Sequence, residues 1–310
     1  MARFQVHILG CGSALPNLKH NTSAQLVEVH DKVFMVDCGE GTQLQLRKSR
    51  VHFSKVAAIF ISHMHGDHCF GLMGLVSTFG LLGRTAPLHI YAPKEMQELL
   101  DIQIRLFCST FEYKIVFHPL DTTCGSVIYE DKSMTVTTLP LNHRLPCCGF
   151  LFREKQGLPH INKEIVDYYG VPQSQYNNIK NGCDWISSEG ETVAYTKLTI
   201  PAEPSLSYAY CSDTRYIPSL HKLVKGVDVL YHESTYTDAD ERNACKYFHS
   251  TARQAATVAK DAGVGMLLLG HYSSKYGDER CILNEAKEVF PNSCLSNEMY
   301  VIDVAKRSIV

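Results

Sequence analysis

The chain has 310 residues, of which 45% are hydrophobic and 20% charged, and its formal net charge is -2. That length allows one large domain or two smaller ones, and the composition excludes disordered, collagenous and coiled-coil architectures. A near-neutral balance excludes bulk attraction to phosphate, so a nucleic-acid partner would have to meet a local basic patch.

The N-terminal stretch MARFQVHILGCGSALP has one early Arg and then alternates apolar with polar residues, unlike the continuous apolar core of a secretory signal. FQVHILG, AQLVEVH and VFMVD read as strands, GTQLQLRKS as a short helix and AAIFIS as another strand. CFGLMGLVSTFGLLG predicts a helix ending at Gly83, LHIYA a strand, and Pro93 opens a helix through about Phe107. KIVFHPL, SVIYE, MTVTTLPL and CGFLFRE continue as strands.

Residues 154–204 break this rhythm with Gly157-Leu158-Pro159, Gly170-Val171-Pro172 and many Asn and Gln, and read as an excursion from the core. After it come SLSYAYC and VDVLYHE as strands, STARQAATVAKDAG as a capped helix, GMLLLGH as a strand, a further helix and a final strand, EMYVID. Two mixed sheets face to face, with helices on the outer faces, fit this order as one α/β domain over residues 1–310. No run reaches the length of a membrane span. The twelve cysteines are scattered, with one adjacent pair, Cys147 and Cys148, and no C-x-x-C. Reduced thiols in a cytoplasmic protein are therefore expected.

Residues 59–72, IFISHMHGDHCFGL, place three histidines and an aspartate within six positions directly after an apolar strand. Imidazoles and carboxylates so crowded stay poorly satisfied unless a divalent cation sits between them. His63 and His65 can converge on one ion, while Asp67 and His68 face a neighbouring position. His143 in LPLNHRLP, Asp213 in AYCSDTRY and His271 in LLLGHYSS each follow a strand. Together they complete a dinuclear site: His63, His65 and His143 for one ion, Asp67, His68 and His271 for the other, and Asp213 as the bridge. Nitrogen and oxygen ligands without thiolate favour two zinc ions per subunit, with manganese and iron left open.

His63-Met64-His65-Gly66-Asp67-His68 matches H-x-H-x-D-H, and the chain resembles the metallo-β-lactamase superfamily over essentially its whole length. The resemblance implies a four-layer αβ/βα sandwich and the same ligand set. It also casts Asp37, in FMVDCGEG, as the residue that fixes the metal loop. Two metals close together serve phosphodiesters, thioesters and lactams alike, so the choice of chemistry rests on YHESTY and YFHSTARQ. Ser250 or Thr251 can cap the following helix. A helix N-terminus disfavours a protonated imidazole, so His249 needs a carboxylate to hold its proton, and Glu233 can be that partner.

These two stretches resemble the paired motifs of the ribonuclease Z family of tRNA 3′-processing endonucleases. The resemblance implies that His249, oriented by Glu233, assists departure of the 3′ oxygen, with Asp67 as general base. It implies a flexible tRNA-gripping arm at residues 154–183 and a homodimer acting on precursor tRNA. Lys275 stands where the family usually has a phosphate-contacting Arg, and Lys19 lies in Pro16-Asn17-Leu18-Lys19-His20-Asn21, where the family pattern is P-T-K-x-R-N. Positions 18 and 20 depart from that pattern as Leu and His. From 153 to 183, Arg153, Lys155, Lys163 and Lys180 face Glu154, Glu164 and Asp167, so Lys155 and Lys163 would contact RNA in an arm that grips by shape more than charge. A small-molecule or cyclic-nucleotide phosphodiesterase is the nearest alternative. A thioester hydrolase, a lactamase and a non-catalytic RNA-binding subunit follow it.

Overall fold

A computed structural model describes residues 4–15, 17–107 and 112–310; Pro16 of the 16–21 stretch lies outside the described residues. Contact clustering separates two compact units, one comprising Met1–Tyr129, Thr135–Phe152 and Leu206–Val310, the other Glu130–Met134 and Arg153–Ser205.

Two mixed sheets make up most of the first unit. In spatial order the eight-stranded sheet is Ser308–Ile309, Val301–Asp303, Phe4–Gly10, Ala24–Val29, Lys32–Val36, Val56–Phe60, Leu88–Ala92 and Ile115–Pro119. It is antiparallel from the C-terminal edge to Lys32–Val36 and parallel beyond. The seven-stranded sheet runs Ser293–Leu295, Met266–Gly270, Val229–Glu233, Ser207–Cys211, Cys148–Glu154, Met134–Pro140 and Val127–Glu130, the first four of these parallel.

Strands such as Val229–Glu233 and Met266–Gly270 are buried at every position, as expected where one face meets a second sheet and the other meets helices. Aromatic side chains fill the space between the sheets: Phe60 lies 5.4 Å from Phe150 and Phe34 lies 6.0 Å from Phe152, ring centre to ring centre. Each such ring stabilises by about 2–3 kcal/mol on burial. On the outer face of the first sheet, Leu46, Leu72, Leu75, Val76, Phe79, Met96 and Leu100 bring the helices Thr42–Lys48, Leu72–Leu81 and Glu95–Phe107 onto Leu26, Met35 and Ile59. On the second sheet the helix Ala252–Ala262 packs against Val229–Glu233 and Met266–Gly270. It buries five alanines, which let the backbones approach closely. The four layers expected from the sequence are present.

Several boundaries differ from the expectation. The helix following the histidine cluster is two pieces, Gly66–Cys69 and Leu72–Leu81: the Gly71 N–H donates out of the helix to the Cys38 carbonyl at 2.9 Å, an approach in which a Cβ on Gly71 would come within 2.0 Å of the Gly39 carbonyl oxygen. Pro93 stands two residues ahead of the helix Glu95–Phe107 and accepts the Met96 N–H at 3.0 Å. EMYVID is not the last strand: Val301–Asp303 pairs antiparallel with Ser308–Ile309. Thr251 caps Ala252–Ala262 in a reciprocal arrangement with Gln254, and Gly263 ends that helix at φ 64.

The second unit has a small core of its own, formed by Val166, Val171, Ile179, Val193 and Leu198. Its helices Lys163–Tyr168, Tyr176–Lys180 and Tyr195–Leu198 accompany two two-stranded sheets. Asn162 caps the first of these helices by accepting from Ile165 N–H.

Candidate metal centre

The candidate ligands sit at or just beyond the C-terminal ends of strands in both sheets. Asp37 follows Lys32–Val36, His63 follows Val56–Phe60, His143 follows Met134–Pro140, Asp213 follows Ser207–Cys211 and His271 follows Met266–Gly270. Asp37 and His271 adopt left-handed backbone, with φ 56 and φ 61, a conformation that costs a non-glycine residue about 1–2 kcal/mol. His271 is held there by its N–H, which donates to the Cys11 carbonyl at 2.7 Å.

A chain of polar contacts engages the Nδ1 atoms of His63, His68, His143 and His271 on the side away from the cluster. The Ser62 hydroxyl donates to Asp37 Oδ2 at 3.0 Å, so its oxygen is left to accept from His63 Nδ1–H, also at 3.0 Å. His68 Nδ1–H donates to Asp37 Oδ2 at 2.7 Å, and His143 Nδ1–H to the Phe248 carbonyl at 2.9 Å. The Thr235 hydroxyl donates to Glu233 Oε2 at 2.7 Å and accepts from His271 Nδ1–H at 2.9 Å. With those protons turned outward, the remaining ring nitrogens turn their lone pairs toward one another. His65 Nδ1 lies 3.0 Å from His63 Nε2 and 3.1 Å from His143 Nε2. His68 Nε2 lies 3.4 Å from His271 Nε2.

The carboxylates complete two groups. Asp67 Oδ2 is 3.3 Å from His271 Nε2 and 3.4 Å from His68 Nε2. Asp213 spans both: Oδ2 is 3.7 Å from the Nε2 atoms of His63 and His143, and Oδ1 is 3.4 Å from that of His68 and 3.2 Å from that of His271. Asp213 Oδ1 is buried without a hydrogen-bond partner. Burial opposes ionisation of Asp213, yet the His271 and His68 imidazoles hold its carboxyl well below the usual carboxylate range. Asp67 is likewise disfavoured by burial and held down by His68 and His271. Converging lone pairs and carboxylates repel until a cation lies among them, and an N/O set of this composition fits divalent metal. His63, His65, His143 and Asp213 form one potential metal-holding group, and Asp67, His68 and His271 another.

His249 stands beside this cluster with Nδ1 3.0 Å from Glu233 Oε1. Glu233 is fully buried, and also accepts from Thr214 N–H at 2.9 Å and Thr235 N–H at 3.1 Å. Burial lowers the His249 pKa, but the Glu233 carboxylate outweighs it and pushes the imidazole up to about 9. The bonded Nδ1 leaves Nε2 as the atom available to a substrate.

A cleft of about 610 Å³ opens over these residues, lined by His65, Asp67, His143, Asp213, His249 and His271. Leu15, Phe70, Arg144, Tyr236 and Tyr247 also line it, and none of them was singled out from the sequence. Arg144 directly follows His143, which was the signal available. The four lysines expected to meet RNA are each engaged elsewhere. Lys275 pairs with Asp240 at 2.5 Å, Lys155 with Glu130 at 2.6 Å and Lys163 with Asp167 at 2.8 Å, while Lys19 pairs with Glu279.

Comparison with known proteins adds four observations. A family model described as anti-Pycsar protein Apyc1 matches residues 4–155, a stretch that ends before Asp213, Glu233, His249 and His271. A protein named ribonuclease Z from Bacteroides fragilis (strain ATCC 25285) is 55% identical over 304 residues, covering 98% of this chain and 100% of that protein. The crystal structure of human tRNase Z, short form, aligns with TM-score 0.69 at 24% identity, covering 96% of this chain and 98% of that one. That of the metallo-β-lactamase fold protein YhfI from Bacillus subtilis aligns with TM-score 0.67 at 20% identity, covering 97% and 99%. At those identities the two structures speak to fold.

Proposed function

The chain belongs to the ribonuclease Z family and is an endoribonuclease of tRNA 3′ processing, and from that premise we propose that it cuts with a dinuclear zinc centre in the cleft. The observation that carries this reading is the outward engagement of Nδ1 in His63, His68, His143 and His271, which leaves their Nε2 atoms facing Asp213 beside His65 Nδ1. His63, His65 and His143 would hold one ion, Asp67, His68 and His271 the other, with Asp213 shared. Zinc so placed supplies Lewis-acid polarisation of the scissile phosphoryl group and a more acidic attacking water.

The chain's own residues supply the rest. Asp67 faces the cleft as a carboxylate and accepts the proton of the attacking water. His249, charged by virtue of Glu233, donates from Nε2 to the departing 3′ oxygen. The phosphorus gains one P–O bond from water and loses the one to the 3′ oxygen, so the products are a tRNA with a 3′ hydroxyl and a trailer with a 5′ phosphate. Asp37 fixes the His68 ring and the Ser62 turn, and does not touch substrate. The unit Arg153–Ser205, including the 154–183 arm, grips the tRNA body, and Lys19, Lys275, Lys155 and Lys163 meet phosphate by exchanging their present carboxylate partners. The enzyme works as a homodimer. It works in the cytoplasm, a placement supported by eleven described cysteines that are all unpaired; among the described residues, no helix is long and apolar enough to cross a membrane.

The test is to incubate the purified protein with an end-labelled precursor tRNA bearing a 3′ trailer, with and without a chelator, and to map the cut while measuring bound metal. Zinc near two per chain and a chelator-sensitive cut beside the discriminator base are expected. An intact precursor alongside hydrolysis of a simple phosphodiester would transfer the site to small substrates.

A further inference from the structure

A second buried cluster lies away from the ligands and has no part in the chemistry above. His20 is 7% exposed. Its Nδ1 lies 3.0 Å from Glu298 Oε2 and its Nε2 3.3 Å from Glu279 Oε1. An ionised carboxylate only accepts, so both contacts are satisfied together only when both ring nitrogens carry hydrogen. A neutral ring would turn a lone pair toward one of the two. Cys11 Sγ is 3.3 Å from Nδ1, but burial and Glu298 keep that thiol protonated, and it donates to the Ser296 carbonyl at 3.5 Å. Lys19 joins Glu279 from the solvent side, and the Tyr272 ring lies 5.5 Å away.

These contacts hold one wall of the cleft. Ser13, Ala14, Leu15 and Thr22 line it, and residues 19–21 hang on the two distant carboxylates. Glu298 Oε1 accepts Asn21 N–H at 2.8 Å, and Asn17 Oδ1 accepts the N–H groups of Lys19 at 2.8 Å and His20 at 2.7 Å. Ser13 N–H donates to the Tyr272 carbonyl at 3.2 Å.

We propose that His20 is a positioning residue, holding this wall in its substrate-receiving form as an imidazolium bridge between Glu279 and Glu298 and releasing it on deprotonation. Burial lowers the His20 pKa, but Glu298 and then Glu279 outweigh it and raise it above the ordinary histidine value. The bridge is therefore complete below the ordinary histidine range and is lost as pH rises through the raised value. The cleavage centre has its own pH dependence, so the effect of His20 is the part seen with a long substrate and absent with a short one. This deepens the precursor-tRNA reading and rests on it.

The experiment measures kcat/KM for a trailer-bearing precursor tRNA and for bis(p-nitrophenyl) phosphate from about pH 6 to about pH 10, in the wild type, His20→Arg and His20→Gln. The readout is the ratio of the two values. In the wild type the ratio falls about tenfold with rising pH, the order expected for loss of a buried charge-assisted hydrogen bond, and the fall lies in precursor KM rather than kcat. His20→Arg, permanently charged, keeps the ratio high and flat. His20→Gln keeps it low and flat. A wild-type ratio independent of pH, or the same fall in His20→Arg, overturns the inference while leaving precursor cleavage standing. Should His20→Gln fail to fold, the contrast between wild type and His20→Arg decides the matter alone. A precursor left uncut by every variant that still hydrolyses the small ester removes the precursor reading and this inference with it.

Discussion

Asp37→Asn isolates the device that turns the metal-facing lone pairs inward. Asp37 is fully buried and accepts four hydrogen bonds: Ser62 N–H at 2.8 Å through Oδ1, and Ser62 Oγ at 3.0 Å, Tyr210 OH at 2.6 Å and His68 Nδ1–H at 2.7 Å through Oδ2. In the variant the amide oxygen can keep the Ser62 N–H, which leaves an NH2 group facing three donors. The two hydroxyls can rotate and accept. His68 cannot, unless its proton moves from Nδ1 to Nε2, and then the nitrogen that faces His271 and Asp67 has no lone pair. The apo-protein should lose about 1.5–3 kcal/mol, the worth of one hydrogen bond to a charged group. Zinc affinity at the Asp67, His68 and His271 position should fall about 10- to 100-fold, or about 1.4–2.8 kcal/mol. Affinity at the His63, His65 and His143 position should fall much less, because Ser62 can still accept from His63 while donating to Ser212, 3.0 Å away. Competition of each variant against a chromophoric chelator resolves the two steps. Equal losses at both positions, or none at either, would refute the tautomer argument.

Three other outcomes follow from the same geometry. His249→Ala should lower kcat on precursor by about 10²- to 10⁴-fold with bound zinc and precursor affinity nearly unchanged; metal analysis showing lost zinc would make His249 structural. Glu298, raised by burial but held below the ordinary glutamate range by the His20 ring and the Asn21 N–H, contributes stability that is present above its unfolded pKa and lost as pH falls through the lower folded value. Thermal melts of Glu298→Gln between about pH 3 and about pH 6 should therefore show a flatter acid limb than the wild type. Gly71→Ala would drive a Cβ against the Gly39 carbonyl and strain the Cys38 N–H bond to the His68 carbonyl, now 2.8 Å. Chemical denaturation should report a loss of about 1–3 kcal/mol.

Most elements of the sandwich were legible because their strands are short apolar runs with clear stops. The elements missed have weaker patterns: Ser293–Leu295 offers three residues and Ser308–Ile309 two, and both exist because a neighbouring strand edge accepts them. The gathering of His63, His65, Asp67 and His68 could be read from spacing, since one turn links them. His143, Asp213 and His271 could be placed because each follows an apolar strand. What the chain order hides is long-range pairing. Lys275 looked free for phosphate, yet its partner Asp240 lies 35 positions away, and the partner of Lys19 lies 260 positions away. Thr235 and Ser62 carry no signal of their own in the sequence, and their relays to His271 and His63 become visible only when Glu233 and Asp37 are set beside them.

The division of the cluster between the two sheets has a consequence for synthesis. His63, His65, Asp67 and His68 emerge early from the ribosome, whereas Asp213 belongs to a strand made far later and His271 to one later still. Folding proceeds from the N-terminus as the chain appears, so the early histidines must wait, without their partners, until nearly the whole polypeptide is out. A chain that stalls or is truncated before residue 271 lacks a member of the second group and leaves the Cys11 carbonyl without the N–H of His271. Such a fragment also lacks Val301–Asp303, which pairs with Phe4–Gly10 in the first sheet, so the sheet edge and the ligand set are both completed only when the C-terminal strands arrive.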